Sequence, residues 1–407
     1  MRGISYGKVM HLLREQKLQL GRVDLKTDKL YKKRDKYLKT KSTLRWTTSY
    51  SDILDKVDCI DPINYAKTRN YIDGAVTRLS PYISRGVIST KQVFEQVMRK
   101  GYDFRSAEKF VQELAWRDYW QQVWMAKGEA IDTDLKQPQS HVSNHSMPLA
   151  IVSASTGIKA INKAIEEFYL TGYMHNHMRL YIASITCNIA RSHWYLPAKW
   201  MYFHLLDGDW ASNALSWQWV AGSNSSKKYY ANQNNINKYS YSGQHGSYLD
   251  VDYRDFASLD IPMILSTLID PILKTNLPAH DQLTVDLDLP LCVYNSYNLD
   301  PEWRNEMDAN RILLLEPSHF KKYPVSKFVL NFIIDLAQNI PGIQVYIGEF
   351  DQLLTALNPN ETYFKEHPAA THYYGTRDER DWIFKVKGYY PSFFSYWKQC
   401  IREMKVK

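Results

Sequence analysis

Two carboxylates flank a glycine at Asp207-Gly208-Asp209 and offer hydrogen-bond acceptors to hydroxyl groups or to a protonated ring nitrogen. Upstream, Glu113 and Trp116 are three residues apart, which places a carboxyl group and an indole on one face of a helix. Such a face can stack a flat base and hydrogen-bond its edge. Each pattern has a simpler explanation: Asp-Gly-Asp also suits a turn or a loose cation site, and Glu113 also suits an ion pair beside core aromatics.

A run of hydroxyl-bearing residues, Thr77-Arg78-Leu79-Ser80-Pro81, precedes that helix. Hydroxyls at the start of a helix can bind phosphate oxygens, because free backbone N–H groups and the helix dipole favour an anion there. Ser80-Pro81 is also an ordinary helix start, with Ser as N-cap and Pro at the first helical position. Taken alone, the segment favours the ordinary helix start.

Helices must position these residues, because apolar residues recur at three- and four-residue spacing from about residue 62 to 240. IKAINKAIEEFYL (158–170) and MRLYIASITCNIA (178–190) show the pattern well. The chain therefore predicts a mainly α protein up to this point.

The pattern changes after residue 285. RILLLEP (311–317) and IQVYIGEF (343–350) are short apolar runs typical of buried strands, and FVLNFIIDLAQNI (328–340) between them has helical spacing. Strand, helix and strand in this order indicate a βαβ unit. We expect an extension, a helical domain, a linker and an α/β-like C-terminal region, at 1–60, 61–245, 246–284 and 285–407.

Composition and charge limit the classes of function to consider. The chain has 407 residues and a net charge of +8, and residues 1–50 hold 14 Lys or Arg against 4 Asp or Glu. A basic segment is typical of nucleic-acid binders, although a solvated helix face explains it equally well. No apolar run is long enough to span a membrane, and the N-terminus does not resemble a signal peptide.

The four cysteines are far apart and form no CxxC pair. Their spacing argues against a zinc site, an iron–sulfur cluster and a disulfide framework, so no metal is expected. We expect a cytoplasmic monomer without a membrane partner.

The order of these blocks resembles the FAD-binding domain of DNA photolyases and cryptochromes. The similarity covers about residues 65–240, and its most specific parts are GYMHNHMRLYIAS (172–184), LLDGDWASN (205–213) and WQW (217–219). The resemblance implies an all-helical FAD-binding domain, followed here by the smaller α/β segment. In that family the α/β domain comes first and can carry an antenna chromophore, and we expect no antenna here.

The resemblance also assigns residues. It implies FAD contacts from Tyr65, Thr77, Leu79, Ser80, Phe110, Arg179, Asp207, Asp209 and Asn213. It implies catalytic roles for Glu113, Trp116, Asn176, Arg179 and Asn213. It implies electron transfer through Trp217 and Trp194, whereas the outer Trp of the family is absent and its position falls near His141. It implies DNA contacts from Arg69, Trp116, Arg117, Asn176 and His177.

The implied activity is light-driven repair of cyclobutane pyrimidine dimers in DNA, by electron transfer from reduced flavin. Retained Glu113, Trp116 and Asn213 favour this lyase. The alternative is a cryptochrome-like blue-light photoreceptor that binds FAD without repairing DNA, and His177, Leu180 and the missing outer Trp favour it. Lesion type, DNA strandedness, the role of the α/β region and the terminal electron donor stay open.

Overall fold

The computed structural model describes residues 46–279 and 282–405. Residues 47–168 and 172–405 form one compact unit. Most of the predicted basic extension, 1–60, lies outside the described residues. The helices of the first part are α1 (Tyr50–Asp58), α2 (Pro62–Thr68), α3 (Ser80–Ser84), α4 (Thr90–Arg99), α5 (Phe104–Lys127), α6 (Leu149–Val152), α7 (Lys159–Thr171), α8 (Asn176–Ser184), α9 (Tyr195–His204), α10 (Trp210–Ala221) and α11 (Gln233–Ser240).

Helix α5 is the centre of the helical part. It begins after Asp103, whose carboxylate accepts a hydrogen bond from Ser106 N and satisfies one of the free N–H groups of the first turn. It ends at Gly128, which has a positive φ of 54°. Helices α2, α4 and α10 all pack against it, so both faces of α5 are covered over most of its length.

Helix α8 does not continue regularly through the segment 178–190, which was predicted as one helix. It ends at Ser184 and passes into a π-helical turn, Ile185–Ile189. Thr186 donates its hydroxyl to the carbonyl of Ile182 inside this turn. Turns of this kind often occur at functional sites, and this one directly follows the segment GYMHNHMRLYIAS (172–184).

The second part is built on a parallel sheet. Its strands are β3 (Leu291–Tyr294), β4 (Asn310–Leu315), β5 (Ile343–Ile347), β6 (Thr362–Lys365) and β7 (Thr376–Asp378), in the order β5-β4-β3-β6-β7. All four pairings are parallel. Its helices are α12 (Pro317–Lys322), α13 (Lys327–Ala337), α14 (Phe350–Leu357) and α15 (Phe393–Lys405).

The predicted strand–helix–strand unit is confirmed as β4, α13 and β5. The strands β3, β6 and β7 were not predicted. Leu291, Val293, Ile312, Leu314 and Phe350 fill the core between the sheet and α14. A helical part together with an α/β part is therefore the observed fold class.

The predicted linker, 246–284, contains ordered structure. Leu268–Ile269 (β2) pairs antiparallel with Met147–Pro148 (β1), and two short 3-10 helices precede it, at Tyr253–Ser258 and Met263–Leu265. The segment thus returns to the helical part before the chain enters the sheet.

The loop after β3 fastens the sheet to the helical part. Gly86 has φ +66°, and a Cβ atom there would lie 2.2 Å from the carbonyl oxygen of Tyr297. The hydroxyls of Tyr297 and Tyr202 are 2.7 Å apart, and Leu299 N donates to the carbonyl of Arg85 at 3.0 Å. Only glycine permits this close approach of the two backbones. Among the described residues, no helix is long and apolar enough to cross a membrane.

Candidate functional site

Helices α2 and α5 bring together four of the predicted residues. The ring of Tyr65 meets that of Phe110 edge-on, with 5.1 Å between their centroids. Arg69, at the end of α2, forms an ion pair with Glu113 and a hydrogen bond with the Tyr65 hydroxyl. The predicted DNA-contacting cation and the predicted lesion-contacting carboxyl group are thus direct partners.

Burial shifts the pKa of Glu113 in this pair. It raises the pKa of Glu113, and the nearby Arg69 guanidinium offsets part of that rise. The Glu113 side chain still keeps 30% of its surface exposed. The carboxyl group is therefore held by Arg69 and still open to contact by a ligand.

The hydroxyl segment does not cap its helix as an ordinary helix start would. Helix α3 has Leu79 at its N-cap, without a side-chain capping bond, and Ser80 is already its first residue. The interpretation of Ser80 as an ordinary N-cap is wrong, because the backbone of Leu79 is already helical. Thr77 accepts a hydrogen bond from Leu79 N at 3.4 Å, and Leu79 itself is buried.

The second cluster joins α8 to the start of α10. Arg179 donates from Nη2 to both carboxylate oxygens of Asp207, at 3.0 and 2.8 Å, and from Nε to the carbonyl of Met174 at 2.8 Å. The carboxylate of Asp207 is almost fully buried, with 5% of its side chain exposed. Two residues that the resemblance assigns to FAD binding, Arg179 and Asp207, are thus joined by a charge-assisted pair of hydrogen bonds.

Asp209 lies two residues further on and is buried as well. One of its oxygens caps α10 by accepting from Ser212 N at 2.7 Å. The other accepts from Gln121 and from Arg117, both on α5, the latter at 3.4 Å. Arg117, predicted to contact DNA, is thus held by an interior carboxylate.

Asn213 sits one turn after Asp209 on α10. Its Nδ2 donates to the carbonyl of Ala198 at 2.8 Å, so α9 fixes the orientation of the amide. The residue is 8% exposed. Because Nδ2 of this buried amide is held by the carbonyl of Ala198, the amide oxygen of Asn213 points in a defined direction.

The two predicted electron-transfer tryptophans are both buried. Trp194 donates its indole N–H to Asp134 at 2.8 Å, and its ring meets Tyr195 edge-on with 5.5 Å between the centroids. Tyr195 is half-buried and lines a surface groove of about 490 Å³ together with Asp134 and His193. An oxidisable ring therefore lies between Trp194 and this surface groove.

Trp116 has a partner that the sequence did not suggest. The ring of Phe393, at the start of α15, stacks on its indole with 3.8 Å between the centroids and an interplanar angle of 11°. Residues 383–390, which precede α15, make three hydrogen bonds with α5. Ile383 N donates to Asp118, Gly388 N donates to Gln122, and the Tyr119 hydroxyl donates to the carbonyl of Tyr390. One face of the predicted lesion-contacting indole is therefore covered by the C-terminal region.

Asn176 and His177 open α8. Asn176 is exposed, whereas the ring of His177 packs edge-on against Tyr239 at 4.8 Å. Burial lowers the pKa of His177. Within residues 46–279 and 282–405, no hydrogen bond, ion pair or ring contact joins the side chain of Asn176 or Trp217 to another predicted site residue.

The groups present fit FAD. Its sugar hydroxyls and ring N–H groups need buried acceptors, which Asp207 and Asp209 supply. Its phosphates need hydrogen-bond donors, and Thr77 and Ser80 carry hydroxyls that can donate to phosphate oxygens. Asn213 adds an oriented amide. The described residues contain no group of His, Cys, Asp or Glu that could hold a metal ion.

Sequence reasoning missed Gln121, Asp134 and Phe393, which are partners of Asp209, Trp194 and Trp116. Gln121 is 88 residues from Asp209, and Asp134 is 60 residues from Trp194. No spacing rule connects residues so far apart. The QPQSHVSNHS stretch near His141 draws attention to a lost tryptophan but not to its neighbour Asp134.

Comparisons with known proteins agree with this geometry. The profile of the FAD binding domain of DNA photolyase matches residues 110–250. A deoxyribodipyrimidine photo-lyase of Streptomyces griseus is 32% identical over 149 residues, covering 36% of this chain and 32% of that protein. Cryptochrome DASH of Danio rerio is 31% identical over 167 residues, covering 39% and 32%. The predicted resemblance to the photolyase and cryptochrome family is confirmed, and with it a FAD-binding domain.

The similarity has a limited extent. The chain spans about a third of the length of the curated relatives it matches. Among solved structures, a cryptochrome of Synechocystis sp. PCC6803 covers 47% of this chain and 43% of its own, at 23% identity and a TM-score of 0.42. The relatives include proteins named as photolyases and as cryptochromes, so the comparisons leave repair and light reception both open.

Proposed function

We propose that this protein binds FAD and uses light to repair cyclobutane pyrimidine dimers in DNA. The observation that carries the proposal is the arrangement on α5. Glu113, with its raised pKa and its Arg69 partner, lies one turn before Trp116. A carboxyl group beside an indole is the pair needed to hydrogen-bond and pack a flat, uncharged lesion.

FAD would be held from two sides. Asp207, Asp209 and Asn213 on and before α10 offer one buried acceptor set, and Thr77 and Ser80 offer hydroxyls for phosphate oxygens. When bound and reduced, the flavin supplies light absorption and the electron that opens the dimer. The chain supplies orientation, and it excludes water by burying these acceptors.

The substrate side works through Glu113 and Trp116. A dimer must leave the DNA helix to reach them, and its poor stacking lowers the cost of flipping to about a few kcal/mol. The Glu113 carboxylate can accept a hydrogen bond from a pyrimidine N–H, while its ion pair with Arg69 keeps the carboxylate from moving away. Phosphate contacts from the basic N-terminal segment, and from Arg69, would make binding depend on salt.

A cryptochrome-like photoreceptor is the second candidate, and one observation favours it. Phe393 covers a face of Trp116, so the C-terminal region is in direct contact with the site. A receptor needs such a connection, because a change at the flavin must reach an output surface. In this reading Glu113 and Trp116 bind no lesion.

We place the protein in the cytoplasm as a monomer. All four cysteines are free thiols, which suits a reducing compartment. Three of them, Cys187, Cys292 and Cys400, are buried.

The first experiment records the visible spectrum of the purified protein and then assays repair. The protein is photoreduced and mixed with an ultraviolet-irradiated oligonucleotide under blue light, and dimer loss is followed. A flavin spectrum with light-dependent dimer loss supports repair. A flavin spectrum without dimer loss favours the photoreceptor, and a colourless protein refutes both.

Two variants test the site. Glu113→Gln keeps the shape and removes the acid, and we expect repair to fall about ten- to hundredfold, as for loss of a hydrogen bond to a charged group. Glu95→Gln changes an exposed acid on α4 and is the matched control. Full repair by both Glu113→Gln and Trp116→Ala refutes the assignment of these residues while leaving FAD binding in place.

A further inference from the structure

Three tyrosines form an aromatic ledge beside the candidate site. Tyr71 follows α2, and Tyr239 and Tyr241 lie at the end of α11. The rings of Tyr71 and Tyr241 stack with 5.4 Å between the centroids at 19°, and those of Tyr71 and Tyr239 meet edge-on at 5.2 Å. We call these three residues the tyrosine ledge.

The ledge is fixed in place although it faces solvent. Tyr241 is 64% exposed, yet its hydroxyl is hydrogen-bonded to Asp73 and its ring rests on Tyr71. Its backbone has a positive φ of 52°, which ends α11 and turns the ring toward Tyr71. Ile72 N donates to the carbonyl of Tyr239 at 3.0 Å and joins the two segments. A large exposed ring held this firmly is preorganised to stack on a partner.

The ledge is continuous with residues predicted to bind DNA. Tyr239 packs against His177, and His177 in turn lies against the backbone of Asn70, next to Arg69. The ammonium group of Lys238 lies 5.1 Å from the centre of the Tyr239 ring. The path from the ledge to Glu113 therefore runs from Tyr239 to His177, then through the backbone at Asn70 to Arg69, which pairs with Glu113.

The charges around the ledge favour a polyanion. Lys67 and Lys238 are both exposed. The carboxylate of Asp73 is engaged by the Tyr241 hydroxyl, and Glu113 is paired with Arg69. Cations beside exposed aromatic faces are the combination that binds single-stranded nucleic acid, because phosphates meet the cations and bases stack on the rings.

We propose that the tyrosine ledge stacks unpaired bases of single-stranded DNA next to the candidate site. The choice of DNA rests on the proposed function. In this arrangement Tyr241 receives a base face, Lys238 a phosphate, and the strand continues toward His177 and Glu113. The protein then prefers single-stranded or locally opened DNA over an intact duplex.

The test measures binding of a labelled oligonucleotide, single-stranded and as a duplex of the same sequence, by fluorescence anisotropy. We expect Tyr241→Ala to weaken single-strand binding about tenfold, which is the usual effect of losing one base–aromatic stack. Tyr241→Phe keeps the ring and should bind within about twofold of the original protein. Lys238→Ala should reduce the salt dependence by about one phosphate contact.

Tyr374→Ala is the matched control, because Tyr374 is 57% exposed but lies in the α/β part. Its binding should be unchanged. Unchanged single-strand binding by Tyr241→Ala overturns the inference, and so does equal weakening on single strands and duplex. Light-dependent repair is read separately on the same variants. If the original protein repairs dimers but Tyr241→Ala binds single strands normally, only the inference about the tyrosine ledge is refuted. If Tyr241→Ala weakens single-strand binding but the original protein repairs nothing, only the proposed function is refuted.

Discussion

Asp118 offers a sharp test of how the C-terminal region is attached to α5. Its carboxylate is buried and accepts from the Thr90 hydroxyl at 2.8 Å and from Ile383 N at 3.1 Å. Burial raises its pKa from 3.8 to about 6. Because the folded-state pKa is above the unfolded one, stability is lost as pH rises from about 4 to about 6. The loss is about 3 kcal/mol above that window.

Asp118→Asn should recover most of this energy. The amide oxygen can still accept from Ile383 N, and the amide NH₂ can donate to the Thr90 hydroxyl once that hydroxyl rotates. We therefore expect the variant to be more stable at pH 7.5 by up to about 3 kcal/mol, and to match the original protein near pH 4.

The assay is thermal or urea unfolding of both proteins at intervals from pH 4 to 8. The difference between them isolates Asp118, because the other titrating groups are shared. Asp381→Asn is the control, since Asp381 is exposed and borders the same cavity. A difference that does not change with pH would refute the reasoning, as would an Asp118→Asn protein that is less stable at pH 7.5.

Three further changes test the contacts around the site. Phe393→Ala should lower the free energy of unfolding by about 3–5 kcal/mol, because it removes a buried ring from the Trp116 stack. Phe394→Ala removes an exposed ring and should lower the free energy of unfolding only slightly. Equal thermal midpoints for the two variants would contradict the stack. Arg69→Gln should raise the pKa of Glu113 further, so the variant should lose more stability relative to the original protein at pH 8 than at pH 5. If unfolding assays show the same loss at every pH, the ion pair is refuted. Tyr195→Phe should slow blue-light photoreduction with a thiol donor, because no phenol then links Trp194 to the groove; an unchanged rate excludes Tyr195 as the exit.

The sequence predicted the elements whose signal is local. The strand pattern at 311–317 is strong because β4 is almost wholly apolar and buried, and that at 343–350 is strong because β5, a partly buried edge strand, is still mostly apolar. By contrast, β6 and β7 have only four and three residues, and polar side chains such as Thr376 and Asp378 hide them. Their position in the sheet follows from pairing across distant chain segments, which periodicity cannot show.

The same division applies to the candidate site. The pairs Arg179–Asp207 and Tyr65–Phe110 lie among residues that the resemblance already assigned. The stack of Phe393 on Trp116 joins two regions of the chain with no motif in common, and its geometry depends on how α15 packs on α5. The tyrosine ledge could not be predicted for another reason, because Tyr is frequent throughout this sequence and no single position stands out.

The bond between Asp118 and Ile383 spans 265 residues. Because a ribosome delivers the chain from its N-terminus, α5 emerges long before the segment that covers it. During this interval Tyr119, which is buried in the finished fold, lacks its ring contacts with Phe393 and Tyr396. The helix that carries Glu113 and Trp116 can therefore make its contacts with the C-terminal region only after nearly all of the described chain has been made. Contacts between such distant parts of a chain slow folding.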